Sequence, residues 1–302
     1  MVKVANAPVS FGVLHVGGAA SPAFPEPEAL LRAIGAAGYA GTDLGPAGYL
    51  GDGPALRDRL RRHGLELAGG WVDFRFAEPN GFAEDLAALD RVLDTFQAAG
   101  GAPRPTLADR GVPERWASPD SPGPGPADRA GTSLDTGGWR RLAEGVTAVA
   151  RRCRDRGFDP AFHHHLGTSV ETPREVERLL ELTDVGLCLD TGHLLLGGGD
   201  PVRALRDWSG RVNHVHLKDA RVEVCERLVR EGAGVEEVWH QGAFCELGTG
   251  DLDVGGFLAA LAATGYQGWV VVEQDRLIGA GAFPEAAASQ ARNRAYLRRF
   301  GL

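Results

Sequence analysis

The stretch Leu187-Cys188-Leu189-Asp190-Thr191-Gly192-His193 joins a short apolar run to an acidic residue at its end and a histidine three residues later. Three other stretches likewise place histidines or acidic residues at a short β-prone run: residues 162–168 (FHHHLGT), 214–219 (HVHLKD) and 270–275 (VVVEQD). Each apolar run is typical of a β-strand, and each polar cluster follows at its carboxyl end. Four strands that deliver metal-type ligands at the same end predict one shared site.

Strands and helices alternate along the whole chain. Strands are predicted at Lys3–Ala7, Ala40–Leu44, Leu65–Trp71, Arg104–Ala108, Asp159–His165, Val185–Asp190, Arg211–Leu217 and Gly268–Glu273. Helices are predicted at Pro27–Ala37, Pro54–His63, Phe82–Ala99, Trp139–Arg156, Pro173–Leu182, Pro201–Trp208, Val254–Thr264 and from about Ala282 to Phe300. Such alternation implies parallel strands with crossover helices. Eight strands favour a single (β/α)8 TIM barrel over residues 1–302, rather than an open doubly wound sheet.

Two segments interrupt this alternation. Residues 109–138 are rich in proline and glycine, and both a surface loop and a lid over the barrel mouth are open interpretations. Residues 221–253 are long and mix charges, which predicts a short helix plus a loop that shapes the pocket or an oligomer contact.

Composition excludes several classes of protein. The net charge of −8, from 32 basic and 40 acidic residues, argues against a nucleic-acid partner. No apolar run has the length of a membrane span, and no signal peptide is evident, so we expect no membrane partner and a cytoplasmic location. The four cysteines form no CxxC pair and are expected to be reduced, buried thiols: Cys153, Cys188, Cys225 and Cys245.

Alternation of side chains along a strand selects the ligands. If the inward faces carry them, the outermost ring of the barrel comprises His165, Asp190, His216 and Glu273. His163 and His214 then lie one layer deeper, as hydrogen-bond partners of the ligands, and we group them with the substrate-binding residues. Two neutral imidazoles and two carboxylates carry a charge of about −2, which balances a divalent ion.

The predicted ligand set contains nitrogen and oxygen donors and no thiolate. Such a set suits Mn²⁺, Co²⁺, Fe²⁺, Zn²⁺ or Mg²⁺ with positions left open for substrate. Mn²⁺ or Co²⁺ is the preferred prediction.

Further polar residues follow the same strands. His193, three residues after Asp190, could bind substrate oxygens or move a proton, because the ordinary pKa of histidine is near neutral. A loop histidine without such a role is the alternative. Lys218 and Arg221 follow the strand of His216, and a cation beside a metal can hold a developing enolate or a leaving oxygen.

Six stretches carry a resemblance to a known family. They are residues 6–13 (NAPVSFGV), 38–46 (GYAGTDLGP), 163–168 (HHHLGT), 189–193 (LDTGH), 214–219 (HVHLKD) and 265–275 (GYQGWVVVEQD). Together they span nearly the whole chain. The chain resembles the xylose-isomerase-like TIM-barrel superfamily of sugar isomerases, epimerases and related lyases, and within it the inosose (2-keto-myo-inositol) dehydratases.

The resemblance implies a ligand set and a branch of the family. The superfamily's four-ligand metal site maps onto His165, Asp190, His216 and Glu273. The epimerase branch typically has Glu at the fifth-strand position, where this chain has His165, and that difference fits the dehydratases. The dehydratase pattern also prefers Glu at the position of Asp43 and often Trp at the position of Phe11, so the pocket departs from it.

The resemblance also implies a mechanism. A polyol ketone would chelate the metal, lose an α-proton to give an enediolate, and then lose its β-hydroxyl as water. His193, Lys218 and Asp43 are the candidates for proton transfer, with base and acid unassigned. Glu246 and Arg221 are candidate substrate contacts.

Other functions stay open at this point. A keto-sugar isomerase or epimerase would use the same metal and the same enediolate, and a dehydratase of another cyclic keto-acid would differ only in substrate. A DNA-repair endonuclease of this barrel type would need more ligands and a basic surface. A non-catalytic sugar-binding barrel would not need four intact ligands. Barrels of this kind often associate, so a homo-oligomer such as a dimer or tetramer is expected.

Overall fold

Parallel strands close into a barrel, as predicted. The structure, a computed structural model, describes residues 2–14, 24–76, 78–110, 134–279 and 281–302. Its strands are β1 (Lys3–Asn6), β2 (Gly41–Asp43), β3 (Glu66–Phe74), β4 (Arg104–Asp109), β5 (Ala161–His163), β6 (Gly186–Asp190), β7 (Val212–Leu217), β8 (Asp219–Ala220), β9 (Phe244–Cys245) and β10 (Trp269–Val272). The closed order is β1-β10-β7-β6-β5-β4-β3-β2, while β8 and β9 form a separate antiparallel pair. This is the (β/α)8 barrel topology.

Helices connect successive strands of the barrel. They are α1 (Pro27–Ala37), α2 (Gly53–Arg62), α3 (Pro79–Ala99), α4 (Thr136–Asp155), α5 (Pro173–Leu182), α6 (Thr191–Leu196), α7 (Pro201–Trp208), α8 (Val222–Arg230), α9 (Glu236–His240), α10 (Val254–Ala263) and α11 (Phe283–Arg298). A short 3-10 helix at Pro8–Phe11 follows β1. The eight predicted helices are confirmed, α6 is additional, and α8 and α9 lie within residues 221–253, where one short helix was predicted.

Local chemistry explains where several helices begin and end. The predicted capping box of α5 is present: the Thr172 hydroxyl accepts from the Glu175 N–H, and the Glu175 carboxylate accepts from the Thr172 N–H. A cap of this type contributes about 1 kcal/mol. At the carboxyl end of α1, Gly38 has φ +90°, the left-handed conformation that glycine adopts most easily.

The bounds of most strands differ from the predictions by one residue at an end, but larger differences in β5 and β3 affect the site. β5 ends at His163, two residues early, because the His165 N–H donates to the Val170 carbonyl and starts a turn. β3 continues past Trp71 to Phe74, since Phe74 still pairs with Asp109 of β4.

The inner face of β3 carries a glycine that lets polar side chains meet inside the barrel. A Cβ at Gly69 would lie 2.7 Å from the Arg104 carbonyl oxygen and 3.4 Å from His214 Nε2. The 2.7 Å approach to a backbone oxygen is excluded by van der Waals repulsion, so this position of β3 requires glycine. Apolar side chains instead fill the layer between strands and helices, including Leu107, Phe162 and Leu189, all fully buried.

The two segments that interrupt the alternation have different outcomes. Most of the segment predicted as a loop or lid, residues 111–133, lies outside the described residues. Residues 221–253 contain α8, α9 and β9, and their apolar side chains pack with Leu166, Leu196 and Ala220 in a small second core.

In the part of the chain that the structure describes, no helix has both the length and the apolar character that crossing a membrane requires.

Candidate active site

Four donor atoms meet at the carboxyl ends of four neighbouring strands. His163 ends β5, Asp190 ends β6, His216 lies near the end of β7, and Glu273 directly follows β10. Each contributes one ligand-type atom, and these four atoms lie within 4.8 Å of one another. All four side chains are buried. We call this set the four-donor group.

The spacing of these atoms fits the coordination shell of a divalent ion. His163 Nε2 lies 3.1 Å from His216 Nδ1 and 3.2 Å from Asp190 Oδ2. His216 Nδ1 lies 3.1 Å from Glu273 Oε2 and 3.6 Å from Asp190 Oδ2. Ligands about 2.0–2.2 Å from an ion in tetrahedral or octahedral geometry are separated by about 2.8–3.6 Å. The chain therefore provides a site that can hold a divalent metal ion.

His165 lies outside the four-donor group, although alternation along a longer strand predicts it as a ligand. The strand ends at His163, so the two-residue alternation does not extend to His165. The His165 Nδ1 instead hydrogen-bonds the Leu166 carbonyl at 2.8 Å, and its ring centroid lies 3.7 Å from that of His193. Within the four-donor group the residue from β5 is His163, which was expected one layer deeper, whereas the donor atoms of His165, His193 and Asp275 form a separate group within 4.8 Å of one another.

Lys218 connects the four-donor group to Asp275 and His193. Its Nζ lies 2.9 Å from Glu273 Oε2, 3.1 Å from Asp190 Oδ2, 2.9 Å from Asp275 Oδ1 and 3.0 Å from His193 Nε2. Burial lowers the pKa of Lys218, but the three carboxylates outweigh burial and raise that pKa well above its usual value. The side chain is therefore a fixed buried cation.

The charges of the four-donor group and of the neighbouring Lys218–Asp275 pair can be balanced. In the four-donor group, Asp190 and Glu273 contribute −2 when both imidazoles are neutral. The opposite charges of Lys218 and Asp275 cancel each other. A divalent ion would bring the sum to zero, which lowers the cost of burying these groups. Each carboxylate oxygen has two lone pairs, so it can accept from Lys218 and still bind an ion.

His193 is held beside Lys218, as the predicted proton-transfer role requires. Its backbone N–H donates to Asp190 Oδ1 at 2.9 Å, because Asp190 is also the N-cap of α6. Burial holds the pKa of the His193 imidazole well below its usual value, so the ring is neutral near pH 7. His193 Nε2 also lies 3.3 Å from Asp275 Oδ2.

Asp43 and His214 lie behind His216. Asp43 Oδ2 is 3.5 Å from His216 Nε2, on the side of the imidazole that faces away from the four-donor group. Burial raises the pKa of Asp43 above its usual value. His214 pairs with Cys188 one layer deeper, while His216 pairs with Asp190. This geometry suits residues that orient a ligand histidine.

Arg221 and Glu246, the candidate substrate contacts, make their interactions elsewhere. Arg221 is exposed and donates to the Gly242 carbonyl at 3.1 Å. Glu246 forms an ion pair with Arg292 of α11 at 2.6 Å, and this contact holds the pKa of the Glu246 carboxyl below its usual value. Neither side chain is bonded to the four-donor group among the described residues.

Two residues reach the site without having been predicted. Asp275 contacts Lys218 and His193, and its position two residues after Glu273 is the signal that could have found it. Trp71 projects from β3, with its ring centroid 5.1 Å from that of His163 and 5.3 Å from that of His165. Trp71 is the last residue of the predicted strand Leu65–Trp71, so alternation along that strand is the signal that could have found it.

Known proteins share this fold and sequence pattern. The family model described as xylose isomerase-like TIM barrel matches residues 29–299. Inosose dehydratase of Geobacillus kaustophilus is 33% identical over 242 residues, covering 79% of this chain and 77% of the relative. The rhizopine catabolism protein MocC of Rhizobium meliloti is 38% identical over 254 residues, covering 82% and 74%.

Solved structures agree with the fold. A crystal structure of the IOLI protein with a zinc atom has a TM-score of 0.69 at 15% identity, covering 98% of this chain and 97% of that one. The probable 3-DHS dehydratase AsbF of Bacillus anthracis has a TM-score of 0.64 at 13% identity, covering 95% and 97%. Given the matching model, the relatives above 30% identity and the barrel itself, this chain belongs to the xylose isomerase-like TIM barrel family.

Proposed function

We propose that this chain is a metal-dependent hydro-lyase that dehydrates a cyclic polyol ketone of the 2-keto-myo-inositol type. The observation that carries the proposal is the four-donor group at the carboxyl ends of four strands, with the buried cation Lys218 against it. The similarity to several inosose dehydratases, at 30–36% identity, supports the substrate class. A small polyol or sugar is thus the expected partner.

The proposed ligands of the metal are His163 Nε2, Asp190 Oδ2, His216 Nδ1 and Glu273 Oε2. Nitrogen and oxygen donors without thiolate suit Mn²⁺ or Co²⁺, which remain our preferred ions, and Zn²⁺ also fits because the IOLI structure is described with it. When bound, the ion would act as a Lewis acid toward the carbonyl of the substrate and lower the cost of α-proton loss.

The chain's own residues handle charge and protons. Lys218 Nζ is fixed beside Asp190 and Glu273, where negative charge develops on a substrate oxygen as the α-proton leaves. His193 Nε2 lies against Lys218 Nζ and Asp275 Oδ2, and we assign the proton transfer to this imidazole. Asp275 touches both, so it can hold Lys218 in place and stabilise the protonated imidazole. The proton taken from the α-carbon is returned to the departing β-hydroxyl, which leaves as water, so the step balances without a further proton donor.

The test measures formation of the dehydrated product. Metal-loaded protein is incubated with 2-keto-myo-inositol, and ultraviolet absorbance records the enolised dione that forms when water is lost. We expect a rise that EDTA abolishes and that His163→Ala removes. A matched variant, His165→Ala, is expected to keep the rise, because His165 lies outside the four-donor group.

A second readout distinguishes the related reaction. If absorbance stays flat while the metal is bound, NMR in D2O shows whether the α-hydrogen of the substrate exchanges. Exchange without loss of water would replace the dehydratase by a keto-sugar epimerase, and no exchange would refute the proposed chemistry on this substrate.

A further inference from the structure

Trp71 is a solvent-exposed tryptophan on the inside of the barrel. The residue is 39% exposed, whereas the other large hydrophobic residues of similar exposure in the described part of the chain lie on the outside of the barrel: Leu182 ends α5, and Phe300 follows α11. An exposed aromatic face of this size is unfavourable in water and commonly marks a binding surface.

The inward orientation of Trp71 follows from its contacts. β3 and β5 are separated by β4, yet the Trp71 ring lies 5.1 Å from that of His163 and 5.3 Å from that of His165. Rings can meet across an intervening strand only on one face of the sheet. Gly69, two residues earlier, faces the buried His214 inside the barrel, so Trp71 faces inward too.

The β4 side chains that pair with this part of β3 are short. Thr106 pairs with Trp71, and Ala108 pairs with Asp73, the next inward residue after Trp71. With 39% of its surface exposed, Trp71, at about 150–250 Å², presents about 60–100 Å² to whatever enters the mouth.

We propose that the indole face of Trp71 is the platform on which a six-membered carbocyclic polyol lies while its oxygens reach the four-donor group. A ring whose hydroxyls are mostly equatorial presents axial C–H bonds on each face, and this flat apolar face matches an indole. An open-chain polyol has no fixed apolar face and loses more conformational freedom on stacking. Trp71 thereby selects a ring over a chain. The inference deepens the proposed function and rests on it for the substrate class.

Binding of substrates that cannot react tests the platform separately from catalysis. Calorimetry of metal-loaded protein measures the Kd of myo-inositol, which lacks a carbonyl, and of the open-chain polyol sorbitol. We expect the wild-type protein to bind myo-inositol more tightly. Trp71→Ala should weaken myo-inositol binding by about 2-fold to about 10-fold, the range given by aromatic face contacts, and leave sorbitol unchanged.

Two variants control for structural damage. Trp71→Phe keeps an aromatic ring and should fall between the wild type and Trp71→Ala. Trp269→Phe removes an indole at the opposite end of the barrel, where β10 begins beside Lys3, and should leave both Kd values unchanged. In turnover with a ring ketone, Trp71→Ala should raise KM by a similar factor with little effect on kcat.

The outcomes separate the two proposals. If myo-inositol binding depends on Trp71 but no ketone is dehydrated, the platform stands and the proposed reaction fails. If the wild type does not bind myo-inositol, or Trp71→Ala binds it with unchanged Kd, the platform is refuted. It is also refuted if Trp71→Ala loses metal affinity in step with polyol affinity, because Trp71 would then act only by orienting His163.

Discussion

Two histidines separated by one residue should differ sharply in their effect on metal binding. His163 and His165 both contact Trp71 and both lie near His193, so each alanine variant removes an imidazole from the same surroundings. Only His163 Nε2 lies within 3.2 Å of Asp190 Oδ2 and 3.1 Å of His216 Nδ1. We therefore expect His163→Ala to lose the metal and His165→Ala to keep it.

The expected loss of metal affinity follows from the number of donor atoms that each variant removes. Removal of a residue that only orients a ligand weakens metal binding by about 10–100-fold, so loss of one of four donors should exceed about 100-fold. An ion at 100 times its Kd stabilises the folded state by about 2.7 kcal/mol. At roughly 2 °C per kcal/mol for a chain of this size, Tm should rise by about 5 °C on adding metal.

The assay compares three proteins with and without the ion. Tm is measured at a fixed excess of Zn²⁺, Mn²⁺ or Co²⁺, and bound metal is counted by mass spectrometry after dialysis. Wild type and His165→Ala should show the rise of about 5 °C and about one ion per chain, and His163→Ala should show neither. The reverse order of the two variants would refute the assignment of His163 and reinstate His165 as the ligand.

Three further perturbations have defined outcomes. Asp275→Asn should retain the metal and lower kcat by about 10–100-fold, since Lys218 loses a carboxylate partner; an unchanged kcat would remove Asp275 from the mechanism. Burial opposes ionisation of Asp85, but hydrogen bonds from Arg75 hold its pKa below the usual value. Asp85 should therefore add stability that is full above about pH 4 and is lost as pH falls through its folded pKa. Thermal melts from pH 6 to pH 3 should show a shallower decline for Asp85→Asn. The four thiols are buried, and burial raises the pKa of Cys153 to about 12, so a thiol reagent should label them only after denaturation; rapid labelling of the native protein would contradict the packing.

Most of the barrel could be predicted because strand and helix signals are local. The apolar runs, the capping box at Thr172 and the glycine at the end of α1 each act within a few residues. The point where β5 ends could not be predicted, since it depends on a hydrogen bond between His165 and Val170 in a turn. That two-residue difference places His163, and not His165, in the four-donor group.

The wider site depends on contacts between distant residues. The pairing of Glu246 with Arg292 joins positions 46 residues apart, and nothing in the local sequence distinguishes it from a pocket contact. Asp275 could have been found by extending the alternation beyond Glu273, and Trp71 by applying it up to the last residue of the predicted strand Leu65–Trp71. The four strand ends, by contrast, were predictable because parallel strands of a barrel present their carboxyl ends on one face.

The buried ammonium of Lys218 has a consequence for how the protein acquires its ion. Because this group already touches Asp190 and Glu273, the two acidic side chains have a built-in counter-ion when the barrel folds. Zinc fingers, in contrast, collapse only when metal is supplied. We therefore expect the chain to leave the ribosome, fold and persist as an apoprotein, and to be loaded afterwards. The supply of ions in the cell at that later moment, and not the folding reaction, would then decide which one it carries.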